Sequence, residues 1–202
     1  MRSAAFIALL ALCGATGDAS AAAATQTIVL IRHGEKPQGG LGRLDCRGLN
    51  RANALPAVLA RQFGRFDAIF APDPEHAKTD EGIKYPYLRP LQTVIPLSKA
   101  TGVPVDTHFG YKQIGKLEAA LQSPDYREAT LLIAWEHKQL VKLARNLLDH
   151  HGGDVRQVGK WAGSDFDSLY IVRVVRDGVA TRASFEQGSQ GLNDKVGPCT
   201  GG

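Results

Sequence analysis

Arg32 and His33 stand side by side directly after the aliphatic run Ile28-Val29-Leu30-Ile31 and directly before Gly34 and Glu35. An imidazole can attack an electrophile or carry a proton, and a guanidinium beside it offers a fork of donors suited to an anion. The same residue types recur further along. Arg89 opens a helical stretch behind a proline-containing connection, and His137 follows Glu136 at the end of another apolar run. Two histidines and two arginines gathered without a cysteine or a paired carboxylate are poor metal ligands and good partners for phosphate. Taken singly, each is open to a blander reading as a solvated loop side chain.

For these side chains to meet, the chain must deliver them to one rim. Residues 28–32 lack polar alternation, which predicts a central strand covered on both faces, and Gly34 lets the chain turn where the strand stops. Ligands in open α/β sheets sit beyond the carboxyl ends of strands. After a polar, glycine-rich loop over 37–44, Leu49, Ala52, Leu55, Val58, Leu59 and Phe63 recur at helical spacing, with Gly64 as the stop. Pro56 inside this helix either kinks it or marks its first turn. A second strand over 67–71 runs into a long connection, 72–88, which holds His76. A helix from Arg89 to about 99 ends at Thr101-Gly102, and its free N-terminal N–H groups and dipole favour an anion beside Arg89.

A brief strand over 103–105, a helix over 114–121, a strand over 130–134 and a helix over about 138–150 follow, the last closed by Gly152-Gly153. Residues 169–175 and 179–185 read as an antiparallel hairpin turning at Asp177-Gly178, before a polar, glycine-rich tail. This alternation predicts a three-layer αβα sandwich around one mainly parallel sheet with an antiparallel edge strand. One rim then collects Arg32, His33, Arg89 and His137.

Residues 1–22 carry Arg2, the apolar run 4–12 and the small residues Ala19-Ser20-Ala21, the pattern of a secretory signal peptide. The expectation is a single domain over 23–202, periplasmic or secreted, without stable membrane insertion. The length of 202 residues suits one domain, and 44% hydrophobic with 22% charged residues is an ordinary soluble composition. A net charge of +4, spread through the chain without aromatic interleaving, gives no support to nucleic acid binding and suits a small anionic substrate. Loss of Cys13 with the leader leaves Cys46 and Cys199. A disulfide between them would pin the tail to the loop after the first strand and contribute about 4 kcal/mol in the loop-entropy view; two free thiols are the alternative.

Arg32-His33-Gly34-Glu35, Gly48-Leu49-Asn50-Arg51-Ala52, Arg89-Pro90-Leu91-Gln92-Thr93, His137 after an apolar strand, and Trp161 with Asp165-Phe166-Asp167 together resemble the histidine phosphatase superfamily, also called phosphoglycerate mutase-like. The resemblance covers nearly all of 23–202. It implies a small phosphorylated substrate, no cofactor, a phosphohistidine formed on His33, and phosphate binding by Arg32, Arg89 and His137. The leaving-group acid is open. Lys138 occupies the place where the larger acid phosphatases of the family carry an aspartate, so a carboxylate between the second arginine and second histidine is expected. Glu136 is favoured over Glu118, with Glu35 and Asp73 as outsiders. Strict strand alternation would aim Glu136 away from His137.

An exported phosphomonoesterase is the leading reading, and a weakly catalytic or purely binding phosphate-ligand protein, or a phosphomutase, the alternative. His76 could line the mouth of the site. His108, His150 and His151 read as surface residues, Trp135 and Trp161 as core aromatics, and Arg51 as a helix-surface or structural residue.

Overall fold

The computed structural model describes residues 23–39, 42–80, 82–178 and 180–197. The expected leader, Cys13 and Cys199 lie outside them. Cys46 does not stand as a free thiol, and the partner expected for it is among those outside residues. Among the described residues no helix is long and apolar enough to cross a membrane.

The strands β1 (Ala24–Arg32), β2 (Ala68–Phe70), β5 (Val105–Asp106), β6 (Thr130–Trp135), β7 (Ser168–Asp177) and β8 (Ala180–Ser189) form one sheet in the order β5-β2-β6-β1-β7-β8. The first four of these neighbours are parallel, β7 runs antiparallel to β1, and β8 runs antiparallel to β7. The expected mainly parallel sheet with an antiparallel edge is therefore present. Helices supply the two outer layers. Ile28 and Leu30 face α3 (Ile114–Leu121) and α4 (His137–His150), whereas Val29 and Ile31 face α1 (Cys46–Phe63) and α2 (Arg89–Thr101). These four β1 residues are wholly buried, which is why the sequence shows no polar alternation there.

Some expected boundaries shift. The helix predicted from Leu49 begins at Cys46, with Asp45 as N-cap accepting from the Gly48 N–H at 2.7 Å, so Pro56 lies well inside it and does not open it. The strand predicted over 103–105 moves to Val105–Asp106, because Pro104 has no N–H for a ladder. The connection 72–88 contains a two-stranded hairpin, β3 (Lys78–Asp80) and β4 (Ile83–Tyr85). The tail, expected to be merely polar, packs back on the domain through buried Gln190, Leu192 and Val196.

The turn after β1 rests against α1 at two glycines. A Cβ on Gly48 would lie 2.4 Å from the Glu35 carbonyl oxygen and 2.8 Å from its nitrogen, backbone atoms with no freedom to retreat. Gly48→Ala is expected to destabilise the fold by about 1–3 kcal/mol, the usual cost of overpacking, because the turn that carries His33 must move away from α1; chemical denaturation measures it.

Candidate functional site

The register of the sheet brings the histidines together. Arg32 is paired with Trp135 where parallel β1 and β6 both end, and the His33 N–H donates to the Trp135 carbonyl oxygen at 3.2 Å. His33 leaves one strand, and Glu136 and His137 leave its neighbour at the same level. A pocket of about 270 Å³ lies there, lined by Arg32, His33, Arg89, Glu136 and His137. Lys36, Lys78 and Lys138 complete its wall.

His33 is 2% exposed, and its Nδ1 lies 2.8 Å from the Gly34 carbonyl oxygen. A carbonyl can only accept, so Nδ1 carries the hydrogen and Nε2 keeps the lone pair. Burial, first, and then the Arg89 guanidinium hold this imidazole well below the ordinary value of 6.5, against the Gly34 hydrogen bond; Arg32 and Lys78 push further in the same direction. The ring meets Tyr87 edge-on at 6.0 Å and tilts against Phe166 at 6.2 Å. His33 is thus a neutral, clamped imidazole with one nucleophilic nitrogen.

Arg32 is oriented by main-chain atoms. Nη1 donates to the carbonyl oxygens of Gly163 at 2.6 Å and Asp165 at 3.0 Å, and Cζ lies 3.9 Å from the Phe166 ring centroid. Its buried Nε has no hydrogen-bond acceptor among the described residues. Arg89, 1% exposed, has its Cζ 5.0 Å from the Tyr87 ring centroid and donates to the Tyr85 hydroxyl at 3.4 Å. Thr93 ties this arginine to the histidine: its hydroxyl donates to the Arg89 carbonyl oxygen at 2.8 Å and accepts from the Gly34 N–H at 2.9 Å.

The anion cradle expected at the N-terminus of α2 is reduced: the Arg89 N–H donates to the Gly42 carbonyl oxygen, Pro90 has no N–H, and the Gln92 N–H closes onto the Leu88 carbonyl oxygen, while the pocket lining takes only Arg89 from this helix. The contribution of α2 to the pocket is therefore the Arg89 side chain.

Of the four carboxylates considered from the sequence, Glu136 alone lines the pocket. Alternation does not apply to it, because β6 ends at Trp135 and Glu136 is the N-cap of α4, its Oε2 accepting from the Gln139 N–H at 3.1 Å. Its Oε1 lies 3.0 Å from His137 Nδ1. Burial holds His137 below its ordinary value despite the opposing pull of Glu136. Glu118 is removed from candidacy, since Asn146 Nδ2 donates to it at 2.7 Å and His150 Nδ1 lies 2.8 Å away, both on α4. Asp73 is 2.7 Å from His76 Nδ1, and His76 lines a separate depression of about 530 Å³ that also holds Gly110 and Lys112, so it does not line the mouth of the first.

Glu35 is held by Arg51. This residue is wholly buried rather than on the helix surface: its Nε and Nη2 grip Glu35 at 2.9 and 2.8 Å, its Nη1 donates to Asp167 at 2.9 Å and Gln190 at 3.0 Å, and Nη2 reaches Asn193 at 2.9 Å. The network staples the turn after His33 to the loop before β7 whose carbonyls hold Arg32. Trp135 and Trp161 are core aromatics, as expected. His108 and His150 are exposed, whereas His151 is half-buried beneath β8, its carbonyl oxygen accepting from the Ala183 N–H.

The sequence reading missed the lysines. Lys36 follows the Arg-His-Gly-Glu run, Lys138 follows the second histidine, and Lys78 comes from β3, so only the fold unites them. Together the wall can hold a multiply charged oxyanion against one neutral imidazole, with a carboxylate and a second imidazole beside it. Among the described residues there is no group of three or more His, Cys, Asp or Glu able to hold a metal ion.

No model of a known protein family matches the chain, and no curated protein matches it in sequence at a significant level. Solved structures do. A mycobacterial glucosyl-3-phosphoglycerate phosphatase in complex with inorganic phosphate is 16% identical, with 80% of this chain and 95% of that one aligned at a TM-score of 0.54. Mycobacterial hydrolase 2 is 15% identical over 81% of this chain and 90% of that one, at 0.55. Phosphoglycerate mutase from Plasmodium falciparum is 15% identical over 83% and 92%, at 0.52. At such identities the likeness speaks for architecture, and the chain has the phosphoglycerate mutase-like α/β fold expected of the histidine phosphatase superfamily.

Proposed function

We propose that the protein is an exported phosphomonoesterase of the histidine phosphatase type. One observation carries the reading: an imidazole fixed with Nε2 as its only lone pair, in a pocket shared with two arginines and a second histidine. The phosphatases and the mutase of like fold agree with it. Nε2 of His33 attacks phosphorus as the bond to the ester oxygen breaks, and Arg32, Arg89 and His137 stabilise the equatorial oxygens. Glu136 gives a proton to the departing oxygen. Water then attacks the phosphohistidine, the P–N bond breaks, and Glu136 takes the water's proton. Export rests on the leader pattern over 1–22.

The specific observation favouring a phosphate-ligand-binding protein without turnover is that one Glu136 oxygen, Oε2, is already engaged as the helix cap, accepting from the Gln139 N–H at 3.1 Å. Leaving-group dependence separates the two readings. Glu136→Gln is expected to lower kcat/KM about 10²–10⁴-fold for glycerol 2-phosphate, whose alkoxide needs a proton, and far less for p-nitrophenyl phosphate, whose phenolate leaves unaided. Equal losses on both substrates would remove Glu136 from the acid role. Absence of turnover on both by the unaltered protein, with vanadate still bound, would establish the binding reading.

A further inference from the structure

Beside the oxyanion pocket lies a second depression, of about 220 Å³, which shares His137 and Lys138 with it and is otherwise lined by Val141, Lys160 and Trp161. The two spaces therefore adjoin at the shared residues. A group esterified to a phosphate held at His33 and departing on the side of Glu136 and His137 faces the second space. Its lining differs from that of the first. Val141 stands one helical turn beyond His137 on the same face of α4 and, with the Trp161 indole, provides an apolar floor, while exposed Lys160 stands at its margin.

That floor is rigid and mechanically joined to the phosphate site. Trp161 is 5% exposed, its ring centroid lies 4.3 Å from that of Tyr170, and its Nε1 donates at 3.1 Å to the Asp165 carbonyl oxygen. The same oxygen accepts from Arg32 Nη1 at 3.0 Å. A ligand seated on Trp161 therefore abuts the element that orients Arg32. A floor of indole and valine gains most by burying an apolar ring, and a neutral ring leaves the ammonium group at its edge unused.

We infer that this annex is the leaving-group subsite and that it takes a group combining a flat apolar ring with an anionic substituent, the ring on Val141 and Trp161 and the negative charge at Lys160. The inference rests on the phosphatase reading above, and binding of non-hydrolysable phosphonates tests it without requiring turnover. Calorimetry compares inorganic phosphate, phenylphosphonate and 4-carboxyphenylphosphonate on the full chain and two variants. The unaltered protein is expected to bind the carboxylated ring most tightly. Lys160→Glu weakens that ligand by roughly five-fold or more, the upper range for an exposed ion pair, and leaves phenylphosphonate and phosphate unchanged. Val141→Asn weakens both aryl phosphonates and leaves phosphate unchanged. Equal affinity for the two aryl phosphonates, or a Lys160→Glu effect spread evenly over all three ligands, overturns the subsite. A binding preference that persists in a protein without turnover supports the subsite and overturns the phosphatase reading alone.

Discussion

His33→Ala is expected to cut phosphate-ester turnover by on the order of 10⁴-fold or more, the scale seen when a nucleophile is removed, while vanadate and inorganic phosphate still bind. The binding side chains do not depend on the imidazole: Arg32 is held by the Gly163 and Asp165 carbonyls, and Arg89 is anchored through Thr93. In the unaltered protein a labelled phosphoryl group should be trapped on His33 by alkaline quench, and in the variant nowhere. Trapping on another residue, or turnover that survives the substitution, would falsify the proposed chemistry.

The same imidazole has a signature in stability. Its folded-state pKa lies well below 6.5, so at acid pH the unfolded chain binds a proton that the folded chain refuses. Between about pH 7 and pH 5 the fold therefore loses stability through His33 as pH falls, and above the unfolded value this group contributes no slope. His33→Ala should flatten that part of the profile, as measured by urea unfolding at the two pH values.

Arg51→Ala is the second large effect, although its guanidinium lines no part of the pocket. Removing it leaves Glu35 and Asp167 as buried carboxylates, each about 8% exposed, without their principal counter-charge. Breaking a buried ion pair from one side costs about 3–5 kcal/mol, a large share of the stability of a single domain. Activity should fall as well, because Glu35 follows the His33-Gly34 corner and Asp167 belongs to the loop that holds Arg32. Arg51→Met combined with Glu35→Gln and Asp167→Asn should recover part of the stability in thermal unfolding. No recovery would mean that the shape of the guanidinium, rather than its charge, matters at this position.

The sequence made the scaffold legible where periodicity and residue type agreed. Residues 114–121 form a helix with the expected bounds, Arg89 does open α2, and the unbroken apolar run at Ile28–Ile31 is the strand between β6 and β7. The gathering of Arg32, His33, Arg89 and His137 followed from that topology. What stayed hidden has a common physical cause. The clamps on His33 and Arg32 are carbonyl oxygens of Gly34, Gly163 and Asp165, and main-chain acceptors leave no trace in residue type. The β3–β4 hairpin lacks an alternating apolar face, with Lys78-Thr79 in one strand and Ile83-Lys84 in the other, so it read as a loop. Arg51 reads from sequence as either a helix-surface or a structural residue because, Glu35 apart, its partners Asp167, Gln190 and Asn193 lie more than a hundred positions away.

The pairing of Arg32 with Trp135 governs how the chain tolerates a change of length. Since hydrogen-bonded peptide planes fix the interval between His33 and His137, inserting or deleting a residue in either strand shifts one imidazole against the other and turns buried side chains to the wrong face. Segments beyond the strand tips, the β3–β4 hairpin and the stretch around Trp161, escape that double penalty.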